Sequence, residues 1–231
     1  MSDISEHTLE VRYKPNAKIL DFRGSWAEAI SAYMKLSEWT ILENRVDIYD
    51  KDTKERAFVG FRNAGYVAVD VPTRNYFPDK TSRYLKYLFS LEGFGKSLVV
   101  ERLGVRSRFC RPFAGEFSEL LEKYTSNYLS LTPKAKELLK AKLLDIGGSL
   151  EFEDEYGKFN TVSGPMHQQQ LGQFFNRKEG LPAVGLFFDI DYFVSPEAVL
   201  AEKEVLKKIE QFANSAWDRF ETVSKLILGG A

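Results

Sequence analysis

Residues 185–197 read GLFFDIDYFVSPE, and most of the stretch alternates in character. In an extended strand successive side chains point to opposite faces. Leu186, Phe188, Ile190, Tyr192 and Val194 then share one face, while Phe187, Asp189, Asp191 and Phe193 share the other. The apolar face belongs in a core. The second face is either a charged stripe on an ordinary strand or a carboxylate pair placed to share a divalent cation. A strand that is apolar on one side and polar on the other fits an antiparallel sheet covered on one face.

The same reading extends outward. Strands are expected at TLEVRYK (8–14), RVDIYD (45–50), ERAFVGFRNAGYVAVDVP (55–72, with the hairpin turn at Asn63–Gly65) and SLVVERLGVRSRFCRPF (97–113). GSLEFEDEYGKFNTV (148–162) reads as a hairpin turning near Gly157, and HQQQLGQFF (167–175) as a strand joined through NRKEGLP to AVGLFFDIDYF (183–193). Helical spacing marks SWAEAISAYMKL (25–36, capped by Ser25), DKTSRYLKYLFSLE (79–92), GEFSELLEKYTSNYL (115–129) and TPKAKELLKAKLL (132–144, with Thr132 as cap and Pro133 at the first helical position). The final helix is expected to be capped by Ser195, to start at Pro196 and to end at Gly229. Its stripe is Val205, Ile209, Phe212, Ala216, Phe220, Val223 and Ile227.

Strand hairpins with helices grouped between them predict an α+β fold with a largely antiparallel sheet, helices on one face and a long C-terminal helix. One domain over 1–231 is expected, built of two similar halves at about 8–113 and 114–228. With 44% hydrophobic and 14% aromatic residues the chain is globular, and at 231 residues it can bury a sizeable core. A net charge of -1 gives no global field for nucleic acid, which is not expected as a partner. A single cysteine, Cys110, allows no internal disulfide. The N-terminal residues are polar and acidic, without the pattern of a signal peptide, and no apolar run reaches membrane-spanning length. A cytoplasmic location is expected.

Each candidate chemistry has an ordinary structural alternative. The Gly95–Ser97 "GKS" suggests a phosphate loop, but Ser90 stands where that loop needs glycine, and a helix precedes it where a strand should. Cys110 needs a base, and only His7, in an N-terminus expected to be loose, and His167 are available. Asp189 and Asp191 are weak metal candidates because no third oxygen ligand can be placed; Glu151 and Glu153 alternate similarly, at unknown distance. On the long strand Arg102, Arg106 and Arg108 share the face opposite Leu103, Val105 and Phe109. If that strand neighbours Asp189 and Asp191, the five residues form a structural ladder, or the arginines grip an anionic ligand. The aromatic content suits either a core or a base-stacking platform. No cofactor is expected.

The layout resembles a sporadically distributed prokaryotic family of proteins with no assigned activity. The resemblance rests on YVAVDVP followed by a helix, VVERLGVRSRF in the place of an R-x-G-x-R strand, LFFDIDYF as a D-x-D strand, and the terminal helix FANSAWDRFETVSKLI. It implies correspondence at Arg102, Gly104, Arg106, Asp189, Asp191 and Phe220 and brings no catalytic role. Cys110 and the following RPF depart from its pattern. With no nucleophile–base pair, metal set or phosphate loop assembled, the expected function is a non-catalytic binding or accessory protein. It would be a prokaryotic partner subunit that contacts another protein or a second copy of itself. The alternative is an enzyme or sensor that uses the D-x-D and arginine strands on a phosphate-containing ligand.

Overall fold

The computed structural model describes residues 2–92, 94, 98–129, 137–138, 142–175, 177 and 179–229. The elements run β1 (Ile4–Tyr13), α1 (Lys18–Met34), β2 (Glu38–Ile41), β3 (Arg45–Asp50), β4 (Glu55–Gly60), β5 (Asn63–Val69) and α2 (Tyr76–Ser90). They continue with β6 (Val99–Pro112), α3 (Phe117–Asn127), β7 (Gly148–Glu153), β8 (Lys158–His167), α4 (Gln168–Phe174), β9 (Val184–Val194), β10 (Ala198–Val199) and α5 (Glu202–Leu228). The Gly95–Ser97 tripeptide, and the Thr132 cap and Pro133 of the expected 132–144 helix, lie outside the described residues.

The strands form one antiparallel sheet in the order β2-β3-β4-β5-β1-β6-β9-β8-β7, with β10 added beside β6. This is the expected α+β architecture. The topology also repeats: β1, α1, the β2–β5 meander and α2 are followed by β6, α3, the β7–β9 meander and α5. In each half the last meander strand pairs back on the first, and β1 joins β6 at the centre. Strand β6 thus opens the second run of elements. Hydrophobic pattern locates a strand but not its neighbours.

One face of the sheet carries the core. Leu9, Val11 and Tyr13 of β1, Leu103, Val105 and Phe109 of β6, and Phe188, Ile190 and Tyr192 of β9 are buried there against α1, α2, α3 and α5. Helix α5 lies across the central strands. Its Phe220 stacks on Phe109 with centroids 4.5 Å apart, and its Phe212 on Tyr192 at 5.3 Å. Each buried aromatic of this kind is worth about 1.5–3 kcal/mol. Among the described residues no helix is long and apolar enough to cross a membrane.

Four local expectations need correction. Helix α1 starts at Lys18, seven residues before Ser25: the Asn16 Oδ1 accepts the Lys18 N–H at 3.1 Å, and Ser25 Oγ bonds back to the Phe22 carbonyl. Burial of Ile19 together with Trp26, Ala27, Ile30 and Met34 outweighs the roughly 1 kcal/mol that Gly24 costs inside the helix. The β4–β5 hairpin turns at Phe61–Arg62, not at Asn63–Gly65, because Val59 pairs with Ala64. Gly65 is a packing glycine within the strand, where a Cβ would lie 2.1 Å from the Leu9 carbonyl oxygen and 2.4 Å from the Phe58 ring. The segment after His167 forms helix α4, not a strand; the Gln170 side chain accepts the His167 N–H at 2.9 Å and Leu171 supplies the buried anchor. Finally, α5 starts at Glu202. Glu197 has φ 47°, which no right-handed helix accommodates, and the chain adds β10 to β6 before Glu204 accepts the Ala201 N–H.

Candidate functional site on the uncovered sheet face

Opposite the core, the central strands present charged side chains in rows set by strand register. One row runs Arg56, Val67, Thr8, Arg106, Asp191 and Asn160 across β4, β5, β1, β6, β9 and β8. The next runs Phe58, Gly65, Glu10, Gly104, Phe193 and Lys158. Strand β6 is thus the immediate neighbour of β9, and Arg102, Arg106 and Arg108 stand on the same face as Asp189 and Asp191. The pairing is diagonal. Arg106 lies opposite Asp191 in register but donates from Nε to Asp189 Oδ1 at 2.8 Å, and Arg102 donates to both oxygens of Asp191 at 2.9 and 3.1 Å. Arg108 bridges Asp189, at 3.4 Å, and Glu6, at 2.7 Å.

The glycine between the arginines has a specific use. A Cβ on Gly104 would stand 2.8 Å from Arg102 Nη1 and 3.1 Å from the Tyr192 carbonyl oxygen. Its absence lets the Arg102 guanidinium lie down over the strand and reach Asp191 while resting 4.9 Å above the Phe193 ring. R-x-G-x-R and D-x-D are therefore complementary halves of one interaction. Burial raises the Asp191 carboxyl above its usual range, against the opposing pull of Arg102. For Glu10 burial pushes up as well, but hydrogen bonds from Arg12 and Asn63 hold the carboxyl below its usual value.

Catalytic readings find little support in this geometry. Asp189 is 3% exposed and both aspartates are engaged by guanidinium groups. Among the described residues no three His, Cys, Asp or Glu side chains gather as a metal-binding group. Glu151 shares the Asp191 row but lies two strands away, roughly 10 Å at standard strand spacing. Cys110 is buried with Ile4, Leu171 and Phe187 on the α4 side, and burial pushes its thiol up to about 12. His7 is not loose: it lies fully buried in β1, with Nδ1 2.9 Å from Ser107 Oγ and its ring among Phe77, Phe109 and Trp217. His167 stacks on Phe117 at 4.0 Å.

The sequence reading missed Glu6 and Glu10, which complete the ladder from β1. Their signal is the alternation Glu6, Thr8, Glu10, Arg12, but a strand read as beginning at Thr8 excludes Glu6, whereas β1 begins at Ile4. It also missed Arg56, which enters the face only through the register of β4. Together Thr8, Glu10, Arg12, Arg45, Arg56, Phe58, Asn63, Arg102, Gly104, Arg106 and Asp191 line a groove of about 290 Å³. Compared with known proteins, the chain matches no family model and no curated protein sequence. The resemblance noted from the motifs therefore carries no part of the functional reading.

Proposed function

We propose that this chain is a non-catalytic binding protein that takes an extended segment of a partner protein onto its sheet edge at β2. The observation that carries the reading is an open edge: among the described residues β2 pairs only with β3, and Trp39, Ile41 and the following Leu42 are 43%, 48% and 44% exposed. Leu42 N–H bonds to Arg45 O at 2.8 Å and closes the β2–β3 hairpin. Antiparallel ladders bond through alternate residues, so the N–H groups of Trp39 and Ile41 point away from β3. An edge without proline or an inward charge invites strand addition, with backbone bonds supplying affinity and apolar side chains supplying selectivity.

A photo-crosslinking residue at position 39, compared with one on the exposed face of α5, tests the proposal in cells that make the protein. Ile41→Pro removes an outward N–H while leaving the β2–β3 ladder intact. The expected result is a discrete crosslink at 39 that Ile41→Pro abolishes. A monomer that crosslinks no more at 39 than at the control position refutes the reading. Sedimentation velocity separates a second copy from a different partner.

A further inference from the structure

We propose that the uncovered sheet face holds a binding site for a phosphate-bearing small molecule, seated over Thr8 between Arg56 and Arg106. This site is independent of the β2 edge. Arg56, Val67, Thr8 and Arg106 occupy successive strands of one register row, so the two arginines flank the small residues Thr8 and Val67. Three strand spacings, roughly 14 Å, separate their Cα atoms. Arg56, Arg106 and Thr8 line the same groove, where an anion would meet the Arg56 guanidinium, the Arg106 Nη1 that Asp189 leaves unbonded, and the Thr8 hydroxyl.

The charges around the groove favour an anion at that place. Arg12 is paired with Glu10, Arg45 with Asp47, Arg102 with Asp191 and Arg106 with Asp189. Arg56 is exposed, and among the described residues its recorded contact is the Phe58 ring, 6.0 Å away, rather than a carboxylate. Arg106 keeps its side chain 46% exposed although its counter-ion is buried; Asp189 holds it from Nε and Nη2. Five arginines, 12, 45, 56, 102 and 106, line the groove itself, together with the two carboxylates of Glu10 and Asp191. The ladder also pre-orients the guanidiniums, which lowers the ordering cost of binding. A planar carboxylate is satisfied by one guanidinium fork, whereas a phosphate dianion has oxygens for both walls.

The test is isothermal titration at low salt with inorganic phosphate, pyrophosphate and a nucleoside monophosphate, using the wild type, Arg56→Gln and Thr8→Val. Arg56→Gln is the deciding variant, because removing Arg106 strands the buried Asp189 and endangers the fold. Saturable binding of at least one of the three probes, weakened tenfold or more by Arg56→Gln and reduced by added salt, is the expected result. The probe that binds most tightly distinguishes a free phosphate from a nucleotide. Failure of all three probes to bind the folded wild type overturns the proposal, as does binding that Arg56→Gln leaves unchanged. Binding confined to an acidic or phosphorylated peptide, with no binding of the small phosphates, overturns it too.

Discussion

Lowering the pH from 7.5 to 5 should destabilise this protein through one side chain, His7. It is fully buried among Phe77, Phe109 and Trp217, and its described polar contact is the hydroxyl of Ser107. Among the described residues Nε2 has no hydrogen-bond partner. Burial therefore lowers the imidazole from 6.5 to about 3. The native state keeps His7 neutral while the unfolded chain takes up a proton below pH 6.5, so stability falls as pH falls. The fall ends near pH 3, where the native ring protonates too. Each pH unit inside that window is worth about 1.4 kcal/mol, which gives a loss of about 2 kcal/mol at pH 5. Against a typical total of about 5–15 kcal/mol, that is a readily measured part. Urea unfolding at pH 7.5, 6.5, 5.5 and 5.0, for the wild type and His7→Phe, checks it. The wild type should lose about 2 kcal/mol more than the variant across this range. Equal pH slopes would mean that His7 is not held neutral in the core, and the reasoning would fail.

Other consequences follow from the ladder and the buried thiol. Asp189→Ala removes the 3%-exposed counter-ion that Arg106 and Arg108 share and should cost about 1–3 kcal/mol in chemical unfolding, because Arg106 is 46% exposed and Arg108 keeps Glu6. Asp191→Ala, whose side chain is 30% exposed, should cost less; equal losses would contradict the assigned burial. Gly104→Ala should lift Arg102 from Asp191, so its cost and that of Asp191→Asn should overlap by about 0.5 kcal/mol or more in a double-mutant cycle. Strict additivity would show that Gly104 does not govern the pair. Cys110 should resist thiol reagents until the chain unfolds, since it is inaccessible and its pKa lies near 12. Native-state labelling as fast as in denaturant would contradict that burial.

Several parts of this molecule were legible without coordinates. The alternation in GLFFDIDYFV placed Asp189 and Asp191 on one face, and the same logic put Arg102, Arg106 and Arg108 together, because strand periodicity is a local property of the backbone. The stripe of α5 and its end at Gly229, where φ is 75°, were equally local. Boundaries were read less well wherever tertiary packing overrode a local signal. Ser25 resembles a cap, yet burial of Ile19 draws the helix two turns further back; Ser195-Pro196 resembles a helix start, yet the chain is used first to extend the sheet. Asn63–Gly65 resembles a turn, yet Gly65 serves the Phe58 ring.

The candidate site divides in the same way. By itself the sequence determined which charged groups share a strand face, since that depends only on alternation. Tertiary structure alone decided that β6 lies beside β9 and β1, that Glu6 and Glu10 complete the ladder, and that Arg56 faces Arg106 across Thr8. Strand order and register are set by the whole core as it packs against α1, α2, α3 and α5. The placing of residues 50 positions apart on one groove, such as Arg56 and Arg106, therefore leaves no mark in either local pattern.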